Sequence, residues 1–295
     1  MTTTEGPRYV VAYDGGDRGR DALRWSAVLA RSLGVGLDVV VVVRSDDPFS
    51  GVYPPVGDVT GVITEQARGW ADEALAAIGP GVDARADVRT AGSVAEGLLD
   101  AATETGAAAV VVGADGGVNP LGVGSVARAL LHASPVPVLL VPRRETPERV
   151  DHLYVAVGTR PGAAAVLAEA WQAAARNGLP LHVVNLVEVD RAASDTAAGA
   201  DPDAVTRVQA LVEDVRSRSA AVPVSVEMGR GRTMAEAVGS IDWAAGGLLI
   251  VGSSRLAQGR QTFLGPTAAR ILRHVPVPVV VVPRSTSVST SGGAA

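Results

Sequence analysis

Short apolar runs rich in valine alternate along the chain with alanine-rich stretches of helical character. In the first half of the chain, this alternation predicts strands separated by helices. The strands are expected near residues 8–13, 36–43, 84–90, 108–112 and 136–141, and the helices near residues 17–33, 62–78, 93–105 and 124–132.

The second half of the chain repeats the first. Residues 107–113, AAAVVVG, resemble residues 247–252, GLLIVG, and PVPVLLVPR at 135–143 matches PVPVVVVPR at 276–284. Members of each pair lie about 140 residues apart, which indicates a duplicated domain rather than a solenoid repeat. Strands of the second copy are expected near residues 152–157, 180–187, 222–228, 247–251 and 277–282, with helices between them.

Continuous apolar strands separated by helices are typical of a parallel sheet that is covered on both faces. The predicted fold class is therefore α/β, with two tandem doubly wound domains. Each domain is expected to be a five-stranded parallel sheet of order 3-2-1-4-5, flanked by helices. We place the first domain at residues 1–143 and the second at residues 150–284. The tail 285–295 is rich in serine, threonine and glycine and is expected to be disordered.

The composition of the chain excludes several classes of function. The chain has 295 residues, a net charge of −5 and no cysteine, and 3% of its residues are aromatic. No basic cluster is interleaved with aromatic residues, so a nucleic-acid groove is not expected. Without cysteine, disulfides and thiolate chemistry are excluded. Met1–Arg8 lacks the apolar core of a signal peptide, and the apolar runs fall short of the roughly 20 residues that span a bilayer, so we expect a cytoplasmic protein with no membrane partner.

The strand order predicts where a ligand would bind. In open α/β sheets, ligands lie at the carboxyl ends of the strands, at the point where the winding reverses. That point falls between the first and fourth strands, whose carboxyl ends carry Asp14 and Gly113. The carboxylate of Asp14 could accept hydrogen bonds from a ribose or a base, although a role in the turn before the first helix is an alternative.

The loop after the fourth strand, residues 113–125, reads GADGGVNPLGVGS and leads into a helix. Glycines allow backbone N–H groups to approach an anion, and the free N–H groups and the dipole of a helix start favour negative charge. The hydroxyl of Ser125 could also donate to a phosphate oxygen. In the alternative interpretation, this loop is a plain glycine-rich turn and Ser125 caps its helix.

These residues resemble the universal stress protein family, in which the first strand ends in Asp and the fourth is followed by G-x2-G-x9-G-[S/T]. The resemblance implies an ATP site with Asp14 near ribose and adenine and the backbone of Val42 at the adenine edge. It further implies that Gly113, Gly116, Gly124 and Ser125 surround the phosphates, flanked by Ala12 and Val126. Here only seven residues separate Gly116 from Gly124. We expect Gly117 and Gly122 to compensate for the tighter loop.

The second copy carries a degenerate form of this site. Gly158 stands at the position of Asp14, and the loop after the fourth strand has the family spacing but not its residues. Arg255 replaces the second glycine, and Pro266 replaces the Ser/Thr, which removes an N–H donor. The second domain is therefore expected to be a structural partner. In one alternative, Arg255 and Arg260 bind a phosphate and Thr267 supplies a displaced hydroxyl. In another, the second copy binds a different anion.

No catalytic constellation stands out. His132 and His274 are expected at equivalent helix ends, and His152 and His182 at strand starts without a spaced partner. The sequence has no zinc pattern, no nucleophile elbow and no P-loop. The pair Asp46–Asp47 could touch a magnesium ion, but a solvated loop is the simpler interpretation. The tryptophans are expected to pack in cores or interfaces: Trp25, Trp70, Trp171 and Trp243.

The function predicted is that of an ATP-binding regulatory protein of the stress response, with ATP, and magnesium with it, held in the first domain. We do not expect an enzyme beyond weak ATP hydrolysis. A slow ATPase and a nucleotide-independent interaction scaffold are the alternatives. The resemblance also implies that the two copies pack pseudo-symmetrically through their last strands and that the chain forms a homodimer.

Overall fold

The structure is a computed structural model, and it describes residues 6–45, 59–114, 123–158, 162–188, 202–218, 222–253 and 264–283. The predicted disordered tail 285–295 and the pair Asp46–Asp47 lie outside these residues.

In the first half of the chain, strands and helices alternate as the apolar pattern predicts. The elements are β1 (Arg8–Ala12), α1 (Asp17–Leu33), β2 (Gly36–Arg44), α2 (Val59–Ile78), β3 (Ala84–Ala91), α3 (Val94–Glu104), β4 (Ala109–Gly113), α4 (Ser125–Ala133) and β5 (Val138–Val141). Each predicted strand and helix of this half is present, with ends that shift by at most about three residues.

The second half follows the same order. Its elements are β6 (His152–Ala156), α5 (Ala163–Asn177), β7 (Leu181–Glu188), α6 (Pro202–Arg218), β8 (Val224–Gly231), α7 (Met234–Gly239), β9 (Gly247–Gly252), α8 (Pro266–Leu272) and β10 (Val279–Val282). Among the described helices, none is both long and apolar enough to cross a membrane.

The strands form one continuous sheet. Its order is β3-β2-β1-β4-β5-β10-β9-β6-β7-β8, so each half has the predicted order 3-2-1-4-5 with parallel pairing. The halves join where β5 pairs antiparallel with β10, with Leu140 opposite Val279. Pro137 and Pro142 lie just outside the four residues of β5, so no proline interrupts the seam. The last strands therefore make the contact between the two halves, as the resemblance implied.

Helices cover both faces of this sheet, and a hydrophobic core lies under each. Val11 and Val10 point to opposite faces because side chains alternate along a strand. The core on the face of Val11 includes residues of α1, α2, α5 and α6, and the core on the face of Val10 includes residues of α3, α4, α7 and α8. Each core thus contains residues from both halves of the chain and continues past the seam.

The amino-terminal edge of the sheet carries an ion pair in the first half. Arg8 and Asp38 are both buried, and Nε of Arg8 lies 2.8 Å from Oδ1 of Asp38. Arg85 on β3, in register with Asp38, contacts the same carboxylate at 2.6 Å. Paired in this way, the buried charges satisfy one another.

The equivalent edge of the second half carries histidines. Nδ1 of His182 lies 2.7 Å from Oγ of Ser225 and 3.2 Å from Oε1 of Glu227. Its ring stacks on Tyr154 and lies 5.2 Å, between ring centroids, from that of His152. No sequence spacing indicated this cluster, which forms because β6, β7 and β8 are neighbours in the sheet. It is not a hydrolase triad, since Ser225 and Glu227 both approach the same ring nitrogen.

Acidification is expected to destabilise the fold through His182. Burial lowers the pKa of His182 below its ordinary value of 6.5, Glu227 opposes this effect, and His152 adds to it. Because the folded chain favours the neutral ring, the unfolded chain binds the proton more readily. Stability is therefore expected to fall as the pH decreases from 6.5 toward the pKa of the folded state.

Proton NMR of the histidine rings checks this expectation directly. His182 is expected to titrate with a midpoint below 6.5, and His182→Gln is expected to flatten the fall in the free energy of unfolding over that range. A midpoint at or above 6.5 would contradict the burial argument.

Candidate functional site

The first and fourth strands of the first half end side by side. β1 and β4 are parallel neighbours with Val11 in register with Val111, so Asp14 and Gly113 emerge at the same edge of the sheet. The two predicted ligand loops therefore begin at one crevice, at the point where the winding of the sheet reverses.

Asp14 lies exposed at the tip of β1, and one of its carboxylate oxygens is used locally. Its Oδ1 accepts a hydrogen bond from the backbone N–H of Gly16 at 3.0 Å. A Cβ atom at Gly19 would come within 2.8 Å of the same oxygen, so the glycine leaves room for the carboxylate beside α1. The turn role and the ligand role are compatible, because a carboxylate has a second oxygen with its own acceptor positions.

The backbone of Val42 faces the crevice. Gly36 N–H donates to the carbonyl of Pro7, and the carbonyl of Val40 accepts from Tyr13 N–H, so the even-numbered residues of β2 direct their peptide groups toward β1. β1 pairs with β2 only as far as Ala12, opposite Val40. The N–H and C=O of Val42 therefore point into the space beyond the end of β1.

An apolar wall borders this space. Ala12, Val42 and Val126 are half-buried and pack against the same core, on the α3 and α4 face of the sheet. Val42 is closely approached by α3, where a Cβ atom at Gly97 would lie 2.9 Å from its Cγ1. The wall is held in place by this packing and presents partly exposed methyl groups to the crevice.

Helix α4 begins at the far side of the crevice. Gly124 is the N-cap, and Ser125, whose side chain is exposed, is the first helical residue. The alternative in which Ser125 caps the helix is therefore wrong. Since a glycine N-cap has no side chain to bond the first amides, the amino end of α4 keeps N–H groups and a positive dipole end for an anion.

Gly113 has a packing role that the loop pattern did not indicate. A Cβ atom at this position would collide with the carbonyl of Arg18 in α1. The equivalent Gly252 is closely approached by a side-chain methyl group of Val166 in α5. Glycine at the end of the fourth strand is thus explained in both halves by helix packing, and it carries no weight of its own for a ligand.

Some predicted residues fall outside the described part of the chain. These are Gly116, Gly117 and Gly122 of the first loop and Arg255 and Arg260 of the second. Within the described ranges, no group of three or more histidine, aspartate or glutamate side chains is arranged to hold a metal ion.

The second crevice differs from the first. Gly158 is exposed, and a Cβ atom there would meet nothing within 4 Å. Arg270, the fifth residue of α8, forms an ion pair with Glu188, the last residue of β7. The elements joined by this pair correspond to α4 and β2, which flank the first crevice. In the first half, Ala129 and Arg44 hold the equivalent positions, so no such pair can form there.

Two residues of α2 lie over the loop that carries Asp14, although no sequence pattern connected them with it. Trp70 packs beside Gly15, and Glu73 accepts hydrogen bonds from Tyr13 and Arg20. Their position depends on how α2 packs beside α1, which the amphipathic pattern of α2 alone does not fix.

Comparison with known proteins identifies the family that has this architecture. The model of the universal stress protein family matches residues 7–142 and again residues 150–283. A universal stress protein of Mycobacterium tuberculosis and one of Mycobacterium bovis are each 28% identical over 288 residues, covering 93% of this chain and 99% of the relative.

A solved structure agrees with this fold over most of the chain. The crystal structure of a universal stress protein from Archaeoglobus fulgidus has a TM-score of 0.67 at 19% identity, covering 94% of this chain and 98% of that one. A shorter universal stress protein from the same organism, solved in complex with dAMP, is 26% identical over 46% of this chain and 98% of its own, with a TM-score of 0.37. The chain belongs to the universal stress protein family and carries two of its domains in tandem.

Proposed function

We propose that the first domain binds an adenine nucleotide, ATP, and that the protein acts as a nucleotide-dependent regulator of the stress response. The observation that carries this proposal is the convergence of three features on one crevice. The crevice has a half-buried apolar wall. Around it lie the exposed carboxylate of Asp14, the outward peptide groups of Val42 and the amino end of α4.

Each feature suits one part of the ligand. The apolar wall can take a base, and the N–H and C=O of Val42 can pair with its polar edge. The free oxygen of Asp14 can accept from ribose hydroxyls. The amides of α4 and the hydroxyl of Ser125 can donate to phosphate oxygens, and magnesium would enter as the counter-ion of those phosphates.

Several contacts must act together for useful affinity. A micromolar ligand requires about 8 kcal/mol. The dipole of one helix contributes only about 0.3–1 kcal/mol at an exposed site. The helix dipole alone therefore does not hold the nucleotide, and hydrogen bonds from the amides must act together with the base and ribose contacts at Val42 and Asp14.

The second domain lacks the carboxylate and part of the helix amides, although Ala156 and Leu186 repeat the positions of Ala12 and Val42 in the apolar wall. Gly158 supplies no carboxylate, Pro266 removes an amide from the start of α8, and the Arg270–Glu188 pair lies between the elements that flank the crevice. We therefore propose one nucleotide site per chain, with the second domain as its structural partner.

Calorimetry with ATP and magnesium checks the stoichiometry and the site. Wild-type protein is expected to bind about one equivalent. Gly124→Val is expected to weaken binding about tenfold or more, because its side chain would crowd the amides at the start of α4, and Asp14→Ala is expected to weaken it about tenfold, or about 1.4 kcal/mol.

Gly265→Val is the matched control for Gly124→Val. Gly265 is the N-cap of α8, and the two glycines have φ values of −72° and −66°, so valine fits the backbone of both equally. The control is expected to bind ATP as the wild type does. No binding by the wild type, or an equal loss in both valine variants, would reject the site.

Turnover separates this proposal from a slow ATPase. At saturating ATP and magnesium, product is expected to stay flat over hours, because the sequence presents no strong nucleophile or general base. Steady product formation that Gly124→Val abolishes would instead make the protein a hydrolase.

The seam of the sheet bears on the homodimer implied by the resemblance. The last strands β5 and β10 already pair with each other within one chain, so a homodimer would have to use another surface. The homodimer is expected to give a mass near twice the 29.9 kDa of one chain in light scattering. The mass of a single chain would contradict the homodimer, and a change on adding ATP would link assembly to the ligand.

A further inference from the structure

The loop that carries Asp14 is fastened to α2 by a hydrogen-bond network. The hydroxyl of Tyr13 donates to Oε1 of Glu73 at 3.2 Å, and Nη2 of Arg20 donates to the same oxygen at 3.3 Å. Tyr13 is the residue before Asp14, and Arg20 lies in the first turn of α1, so one carboxylate of α2 ties together both sides of the loop.

The tyrosine is suited to a permanent donor role. Burial raises the pKa of the Tyr13 hydroxyl above its ordinary value, and the carboxylate of Glu73 raises it further. The hydroxyl therefore keeps its proton and remains a hydrogen-bond donor to Glu73.

The indole ring of Trp70 also holds this loop against α2. Gly15 has φ of +70°, and a Cβ atom there would lie 2.5 Å from Nε1 of Trp70. The glycine thus adopts a left-handed conformation with the face of α2 pressed against it, and a side chain at this position would be both strained and obstructed. Trp70 restricts a loop that would otherwise be free to move at two consecutive glycines, Gly15 and Gly16.

The second domain shows that the fold itself does not require Tyr13 or Arg20. Tyr13 and Val157 occupy equivalent positions, since each donates its N–H to the neighbouring strand, at Val40 and Val184. Counted from the N-caps Gly16 and Gly162, Val166 takes the place of Arg20. The second domain therefore forms the same fold without the tyrosine and the arginine, and it is also the domain without the aspartate.

We propose that Glu73 and Trp70 are positioning residues for the nucleotide and act through Asp14. This inference rests on the proposed function. By holding the loop before the ligand arrives, the two side chains reduce the conformational entropy that binding would otherwise cost. The same contacts couple the site to α2, so nucleotide occupancy stabilises the packing of α2 on α1.

A double-mutant cycle on ATP affinity tests the coupling. Glu73→Gln is expected to raise the Kd about fivefold, because the neutral amide oxygen accepts from Tyr13 and Arg20 more weakly than the carboxylate does. In an Asp14→Ala background, the same change is expected to leave the Kd unaltered, because the residue to be positioned is gone. Glu65→Gln, an exposed glutamate of the same helix, is the matched control and is expected to bind as the wild type does.

Tryptophan variants give a second test. Trp70→Phe keeps a ring against Gly15 and is expected to retain most of the affinity, whereas Trp70→Ala is expected to raise the Kd about tenfold. The urea midpoint of each variant, measured without ATP, separates loss of affinity from loss of folded protein.

These experiments distinguish failure of the positioning role from failure of the nucleotide site. If Glu73→Gln leaves the Kd unchanged, or raises it equally with and without Asp14, the positioning role is overturned while the nucleotide site stands. If wild-type protein binds no ATP, the proposed function fails and this inference fails with it.

Discussion

The hydrogen bond from Tyr13 N–H to the carbonyl of Val40 is the last one between β1 and β2, and the candidate site depends on it. β2 continues past this point to Arg44, while β1 turns away toward α1. That divergence leaves the peptide groups of Val42 directed at open space and places Asp14 beside them. One more residue of pairing would fill the crevice with backbone, and one fewer would draw Asp14 away from it.

The duplication shows which parts of the fold are free to vary. Most strand residues that face the two cores are buried and apolar in both halves, because each strand is covered on both sides, but their volumes differ, as at Val10 and its equivalent Tyr154. The polar residues at the edges of the sheet differ as well. At the amino edge, an arginine–aspartate pair corresponds to a histidine cluster, and at the carboxyl edge, Asp14 and Ser125 correspond to Gly158 and Pro266. Each exchange leaves strand pairing intact, so the same scaffold carries two different sets of chemistry.

Much of this architecture could be predicted from the sequence for a definite reason. Valine runs and alanine-rich helices fix the elements, and the winding rule then fixes that Asp14 and the start of α4 share one edge. The residues that were missed are joined by contacts between distant elements. Glu73 meets Tyr13 across 60 positions, and Arg270 meets Glu188 across 82. Such pairs depend on helix orientation, and no local pattern encodes them. The packing of Gly113 against the backbone of α1 is a further contact of this kind, since only the fold brings Arg18 to the end of β4.

The seam shows what the second domain contributes to the sheet of the first. β5 is four residues long, buried throughout and apolar, so on its own it would form an unprotected edge. β10 covers that edge with an equally short strand, and both cores continue across the join. Gly158 and Pro266 lie outside β5 and β10 and take no part in this pairing. The residues that complete the sheet are therefore different from those at the crevices, so the crevices can differ between the two copies while the seam stays the same.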